Sequence, residues 1–315
     1  MNGKNLNVRY RKNTYAKTRI KVVLAMLGIG LAVLLVLFLV VGGWLNKKLK
    51  GDDGNTVIHG SQNTNDVVER KEVSSVRGYG VTLSGATATV ISEKASEIAR
   101  VGGNNISFVV RDAAGNEIYN STLAQSMGKQ TAGSYIDIGD IENRATGRGL
   151  SSSAIVPVYS FGKQNDIERA TQLFYDVSIC VESSREGADD VLIKLEGTEI
   201  TDENIDEVLR IAEWVKDLDE NVVLGITLTR DFLCKEGVET LVGRLWEKYD
   251  FLSLDLTGMQ SGESVSQDGS NNEIQFYLLM YKMRVLLPDL PAEELQGIIA
   301  ELGSMNVDNW QTVVK

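Results

Sequence analysis

From residue 76 onward the hydrophobic and polar positions switch repeatedly between two periods. The segments "VRGYGVTLSG" (76–85), "NNISFVVRDAAG" (104–115), "SSAIVPVYSF" (152–161), "DVLIKLEG" (190–197), "NVVLGITL" (221–228) and "DFLSLDLTG" (250–258) are short runs rich in apolar residues. Several alternate, and turn residues bound them, so they read as strands. Between them the spacing becomes helical. Val90, Ile91, Ala95 and Ile98 share one face, as do Ile167, Ala170, Phe174, Val177 and Val181. Two clearer stripes follow: Ile205, Val208, Leu209, Ala212 and Val215, then Val238, Leu241, Val242, Leu245 and Trp246. Residues 138–149 predict a further short helix. Thr201, with Asp202 and Glu203 behind it, predicts a helix start, because a hydroxyl caps free amides and acids suit the positive end of the helix dipole.

Six strands alternating with helices predict an α/β protein with a parallel sheet. An open doubly wound sheet and a (β/α) barrel share this order, and the strand faces separate them. A strand covered by helices on both sides is apolar on both. Here one face is small or polar: Gly78, Gly80, Thr82 and Ser84 in the first strand, then Lys194 and Glu196 in the fourth. Gly225, Thr227 and Thr229 continue the pattern in the fifth strand, and Ser253, Asp255 and Thr257 in the sixth. The opposite faces, such as Ile193 and Leu195, are apolar. This favours a TIM-barrel-like fold. The residues after Gly258 read as a loop (259–272), a long helix (273–287), a second helix opened by Pro291 and a last short helix (306–315). The expected barrel is therefore incomplete, with about six βα units and a helical C-terminus.

A different pattern precedes it. Residues 22–44 contain no charge, and about 20 apolar residues suffice to cross a bilayer. The apolar part of a cleaved signal peptide is shorter, about 7–15 residues. Trp44, Lys47, Lys48 and Lys50 follow the run like an interfacial anchor. Seven Lys and Arg and no acid occupy residues 1–21, which places the N-terminus in the cytoplasm. The expected plan is a basic cytoplasmic tail (1–21), a transmembrane signal-anchor helix (22–44) held in the lipid bilayer, a polar linker (45–75) and an extracytoplasmic barrel-like domain (76–315).

Charge and composition then exclude chemistry. The chain carries −11 overall, so the part beyond the tail carries −18. That argues against nucleic-acid binding, which needs a basic footprint. The one histidine, His59, falls in the linker. Zinc hydrolysis, histidine-assisted serine attack and two-histidine iron sites all need imidazoles that the chain lacks. Cys180 and Cys234 could pair or remain small hydrophobes. No phosphate-binding glycine loop and no metal-ligand spacing occurs, so neither cofactor nor metal is expected.

In (β/α) barrels the chemistry sits at the C-terminal strand ends. Those ends hold Asp112, Tyr159, Glu196, Thr229 and Asp255. A carboxyl pair separated by about 5–10 Å performs glycoside hydrolysis without metal or histidine. In that scheme Glu196 is the general acid, and Asp255 or Asp112 is the nucleophile or base. Lys194, Tyr159 and Thr229 bind substrate. Lys194 shares a face with Glu196 and is expected to pair with it. Each acid also has a structural reading, as a helix cap or a turn residue.

The succession of a membrane span, "VRGYGVTLSG", "ISEKASEIARVGGNNISFVVRDAAGNEIYNS", "GRGLSSSAIVPVYSF" and "GADDVLIKLEG" resembles the glycoside-hydrolase-like (β/α) barrel domain of bacterial envelope proteins. The likeness runs over residues 76–161 and more loosely to 258. It implies a TIM barrel outside a bacterial cell membrane, an envelope or extracellular glycan as substrate or ligand, and Asp112 as a site residue by position. Two departures stand out. "IVPVY" lacks the arginine of the family's third strand, and "LEGTEI" replaces its acid-aromatic-Arg-Phe-Pro pattern. The alternative function is a catalytically inactive barrel that binds a glycan or an envelope protein partner.

Overall fold

The computed structural model describes residues 73–315 apart from 132, 134, 135, 164, 261, 262, 264, 266–270 and 315. The expected tail, the expected membrane helix (22–44) and residues 45–72 of the expected linker lie outside the described residues. Among the described residues no helix is long and apolar enough to cross a membrane.

Eight parallel strands close into a barrel in chain order. They are β1 (Arg77–Val81), β2 (Asn105–Val109), β3 (Ser151–Val158), β4 (Asp190–Leu195), β5 (Leu224–Thr229), β6 (Phe251–Asp255), β7 (Arg284–Pro288) and β8 (Trp310–Val313). The expectation of about six βα units is therefore corrected to a complete barrel. The predicted long helix over 273–287 divides into α8 (Asn271–Met280) and β7. Lys282 makes the break by adopting φ 47, a left-handed turn with no glycine to signal it. Likewise the predicted last helix is β8, which pairs with both β7 and β1. A four-residue strand is too short for its period to declare itself.

A single 3₁₀ turn at Ser160–Gly162 and eight other helices occur among the described residues. They are α1 (Ala88–Arg100), α2 (Thr122–Met127), α3 (Ile138–Thr146), α4 (Asp166–Arg185), α5 (Ile205–Leu218), α6 (Arg230–Leu233) and α7 (Val238–Lys248); α9 (Ala292–Ser304) follows β7. Their buried faces cover the outer faces of the strands, but in α4 the face differs from the predicted stripe: Ile167 and Phe174 are exposed, and Leu173, Val177 and Cys180 are buried. α1 begins where the Thr87 side chain accepts the Val90 amide, and it buries Ile91, Ala95 and Ile98. Each of the two isoleucines contributes about 1.5–3 kcal/mol when fully buried, and the Ala95 methyl less. α5 starts later than predicted, after Asn204, whose side-chain oxygen accepts the Thr201 amide at 2.8 Å.

The small and polar strand faces point into the lumen, as expected for a barrel. A separate interior cluster of Ile155, Leu192, Phe251, Leu286 and Val313 fills its middle. Below it Arg284 donates from both terminal nitrogens to Asp190, at 3.0 and 2.9 Å, and also reaches Ser153 and Gln311. The Phe251 ring lies against the guanidinium, 4.2 Å from its centroid. Two glycines make room. A Cβ on Gly225 would stand 2.3 Å from the Phe251 ring, and one on Gly78 would stand 2.7 Å from both Asn105 and Gln311. Glycine on β1 thus lets β2 and β8 approach and close the barrel.

Candidate functional site

At the C-terminal ends of β1 to β4 and β8 the lumen opens into a cavity of about 550 Å³. Ligand pockets commonly have this size. Its polar lining includes Arg111, Asp112, Thr131, Tyr159, Lys194 and Glu196.

The expected site residues divide. Glu196, one residue past β4, faces the cavity, and its backbone amide is tied to Val158. Its carboxylate has no hydrogen-bond or ion-pair partner among the described residues. Lys194 does not pair with it as expected. The ammonium reaches across the lumen to Asp255 at 3.1 Å and donates to Thr257 at 2.7 Å. Asp255 is occupied on both oxygens, because Thr257 donates to the other through its amide and its hydroxyl. Asp255 and Thr229 lie beside a neighbouring crevice, apart from the main cavity. The Thr229 hydroxyl accepts the Phe232 amide at 3.2 Å and so caps α6.

Asp112 lines the cavity while holding a turn. One carboxylate oxygen accepts the amides of Ala114 and Asn116, each at 2.9 Å. The other accepts the Asn116 side chain and the Thr131 hydroxyl. Burial pushes this carboxyl up, but the hydrogen bonds from Asn116, Ala114 and Thr131 together outweigh it and hold it below its ordinary range. Tyr159 donates its hydroxyl to the Asp112 carbonyl at 2.8 Å, fixing its ring as one wall of the cavity. Burial first, and the negative charge of Glu196 second, push this phenol up to about 12.

Behind this wall lies a cluster that the sequence reading did not identify. Arg111 donates to Glu117 at 2.8 Å, to Asp176 at 2.6 Å and to the Pro157 carbonyl at 2.8 Å. All three side chains are 0% exposed. The second oxygen of Asp176 accepts the amides of Tyr159 and Ser160. Glu117 also accepts the Tyr175 hydroxyl, and Lys129 stacks on that ring at 4.1 Å. The cluster locks the end of β2 to the end of β3 and so sets the position of Tyr159. Its one sequence signal is an acid, Asp176, inside the apolar run of α4.

Among the described residues no three His, Cys, Asp or Glu side chains converge to hold a metal ion. Cys180 and Cys234 are not paired: the first is buried and the second exposed.

No family model matches the chain. No curated protein matches it either. Among solved structures it is similar to an endo-1,4-beta-mannanase from Rhizomucor miehei, with TM-score 0.52 and 10% identity over 76% of this chain and 85% of that one. A D-allulose 3-epimerase from Methylomonas sp. matches with TM-score 0.45 and 12% identity, over 76% of this chain and 85% of that one. A chain described as "QR15, an Aldolase" matches with TM-score 0.46 and 14% identity, over 75% and 88%. At such identities the likeness to the mannanase supports the TIM-barrel fold and nothing finer.

Proposed function

We propose that this protein is a glycan-binding barrel of the bacterial cell envelope, with its site in the C-terminal mouth. In this reading residues 22–44 anchor the chain in the membrane with the N-terminus inside. The observation that carries the site is the mouth itself: a cavity of about 550 Å³ walled by the immobilised Tyr159 ring and faced by Glu196, a carboxylate without a partner among the described residues. A sugar ring presents an apolar face that can lie on an aromatic ring, and hydroxyls that can donate to a free carboxylate. The resemblance to glycoside-hydrolase-like envelope domains supports the same ligand class.

Binding is favoured over hydrolysis because of how the other two acids are used. Asp112 is engaged by its turn, and Asp255 by Lys194 and Thr257. Hydrolysis is the second reading, favoured by Glu196 alone, which is free to act as a general acid. Calorimetric titration of the full-length protein against a panel of neutral and charged oligosaccharides tests both. Glu196→Gln and Tyr159→Ala should each weaken binding by about five- to tenfold, the scale of one lost contact worth about 1–1.4 kcal/mol. Absence of binding across the panel, or unchanged affinity in both variants, rejects the mouth as a glycan site. Release of reducing ends that Glu196→Gln abolishes would replace binding by catalysis.

A further inference from the structure

The charges around the mouth do not balance. Two cations line the cavity, and each is already neutralised. Arg111 sits between Glu117 and Asp176, and Lys194 sits against Asp255. Two further carboxylates line the cavity with no cation against them. Asp112 accepts only neutral amide and hydroxyl donors, and Glu196 has no side-chain partner among the described residues. Even with Lys129 counted beside the Arg111 cluster, three cations meet five carboxylates. Among the described residues the mouth therefore keeps about two uncompensated negative charges, in a part-buried cleft that water screens less than an open surface. The chain beyond the basic tail, at −18, adds to the same field.

We infer that the mouth selects a cationic sugar: a glycan bearing free ammonium groups, as in de-N-acetylated aminosugars, with one ammonium seated between Glu196 and Asp112. This rests on the glycan reading and sharpens it. An anionic glycan would meet repulsion from both carboxylates. A neutral one would leave Glu196 without a counter-charge. An ammonium donates up to three hydrogen bonds and supplies the missing charge. The Tyr159 ring beside the two acids adds an aromatic face that also attracts cations.

The test compares a glucosamine tetramer with its fully N-acetylated counterpart at pH 6, where the amines are protonated. The full-length protein is kept in a detergent without a sugar headgroup, so that the micelle does not compete. At about 20 mM salt the amine form should bind at least about tenfold more tightly. That margin should shrink at least threefold near 0.5 M salt, where the screening length falls towards about 4 Å. Glu196→Gln, which removes no described contact of the fold, should cut the margin several-fold, weakening the amine tetramer by clearly more than the N-acetylated one. Equal affinities for the two tetramers, or a margin that Glu196→Gln leaves intact, overturns the inference while the glycan reading stands. Failure of both tetramers and of the wider panel removes the glycan reading as well. Tighter binding of tetralysine than of the amine tetramer would show that the site reads a cationic peptide instead of a sugar.

Discussion

Arg111→Met is the sharpest test of how the mouth is held. In the native protein one guanidinium serves two carboxylates and a carbonyl, at 2.8, 2.6 and 2.8 Å, and none of the three charged side chains is exposed. Methionine nearly fills the space and leaves Glu117 and Asp176 buried together without their cation. Breaking one buried pair from one side costs about 3–5 kcal/mol, and here two acids lose the same partner. For a domain of this size about 2–4 °C of melting temperature corresponds to each kcal/mol, so the expected fall at pH 8 is roughly 6–20 °C. The pH dependence gives a second, independent check. In the variant, the stranded carboxylates take up protons more readily when folded than when unfolded. The variant's stability must then decline as pH rises, and its deficit must narrow from pH 8 to pH 5. Thermal unfolding of the full-length protein, followed by circular dichroism at both pH values, measures the two effects together. A fall of less than roughly 3 °C at pH 8, or a deficit of the same size at pH 5, would show that the cluster does not bear on folding as argued.

Three further outcomes are expected. Gly225→Ala places a methyl 2.3 Å from the Phe251 ring, itself pinned against Arg284, and should cost about 1–3 kcal/mol in denaturant unfolding; a neutral result would mean that the lumen yields more easily than its packing implies. At the lumen floor Arg284→Met should cost about 3–5 kcal/mol, and adding Asp190→Asn should restore more than half of that by removing the stranded charge, so strict additivity in the double-mutant cycle would contradict the pairing. Glu186, at the end of α4, is pushed up to about 7 by burial and then by Glu182 and Asp137. A raised carboxyl contributes stability that is complete below its unfolded value and lost as pH rises through about 7. Because the group is only half-buried, solvent screening reduces the effect to the order of 1 kcal/mol. Glu186→Gln should remove that decline between pH 5 and pH 8, and an unchanged stability profile would dissociate it from this residue.

The order of elements and the inward faces were legible because both are local. A strand's side chains alternate with period two, so Gly78 and Gly80, Lys194 and Glu196, and Ser253 and Asp255 disclose a small polar face without knowledge of any partner. The helix stripes are local in the same sense. β7 and β8 were not legible. The apolar run from Ile274 to Leu287 contains no proline or glycine, and the break at Lys282 is a left-handed turn held by the surrounding packing. β8 has only four residues, and its strand state is set by pairing with β7 on one side and β1 on the other.

The same division applies to the candidate site. Strand ends nominated Asp112, Tyr159, Glu196, Thr229 and Asp255, and all lie at the C-terminal face of the barrel, where sequence position places them. Which of the acids keeps a free carboxylate is a tertiary matter. Lys194 turns to Asp255, 61 residues away, because β4 and β6 flank β5 and both point those side chains inward. Arg111 finds Asp176 because α4 lays its buried face behind the end of β3. Sequence by itself determined the alternation, the small polar strand faces that favour a barrel, and the acids at the strand ends. Only the tertiary structure decided that there are eight strands, that Asp112 and Asp255 are engaged, and that Glu196 is left facing the cavity. The physical reason is that periodicity is written into neighbouring residues, whereas charge pairing depends on groups that only barrel closure brings within hydrogen-bonding distance.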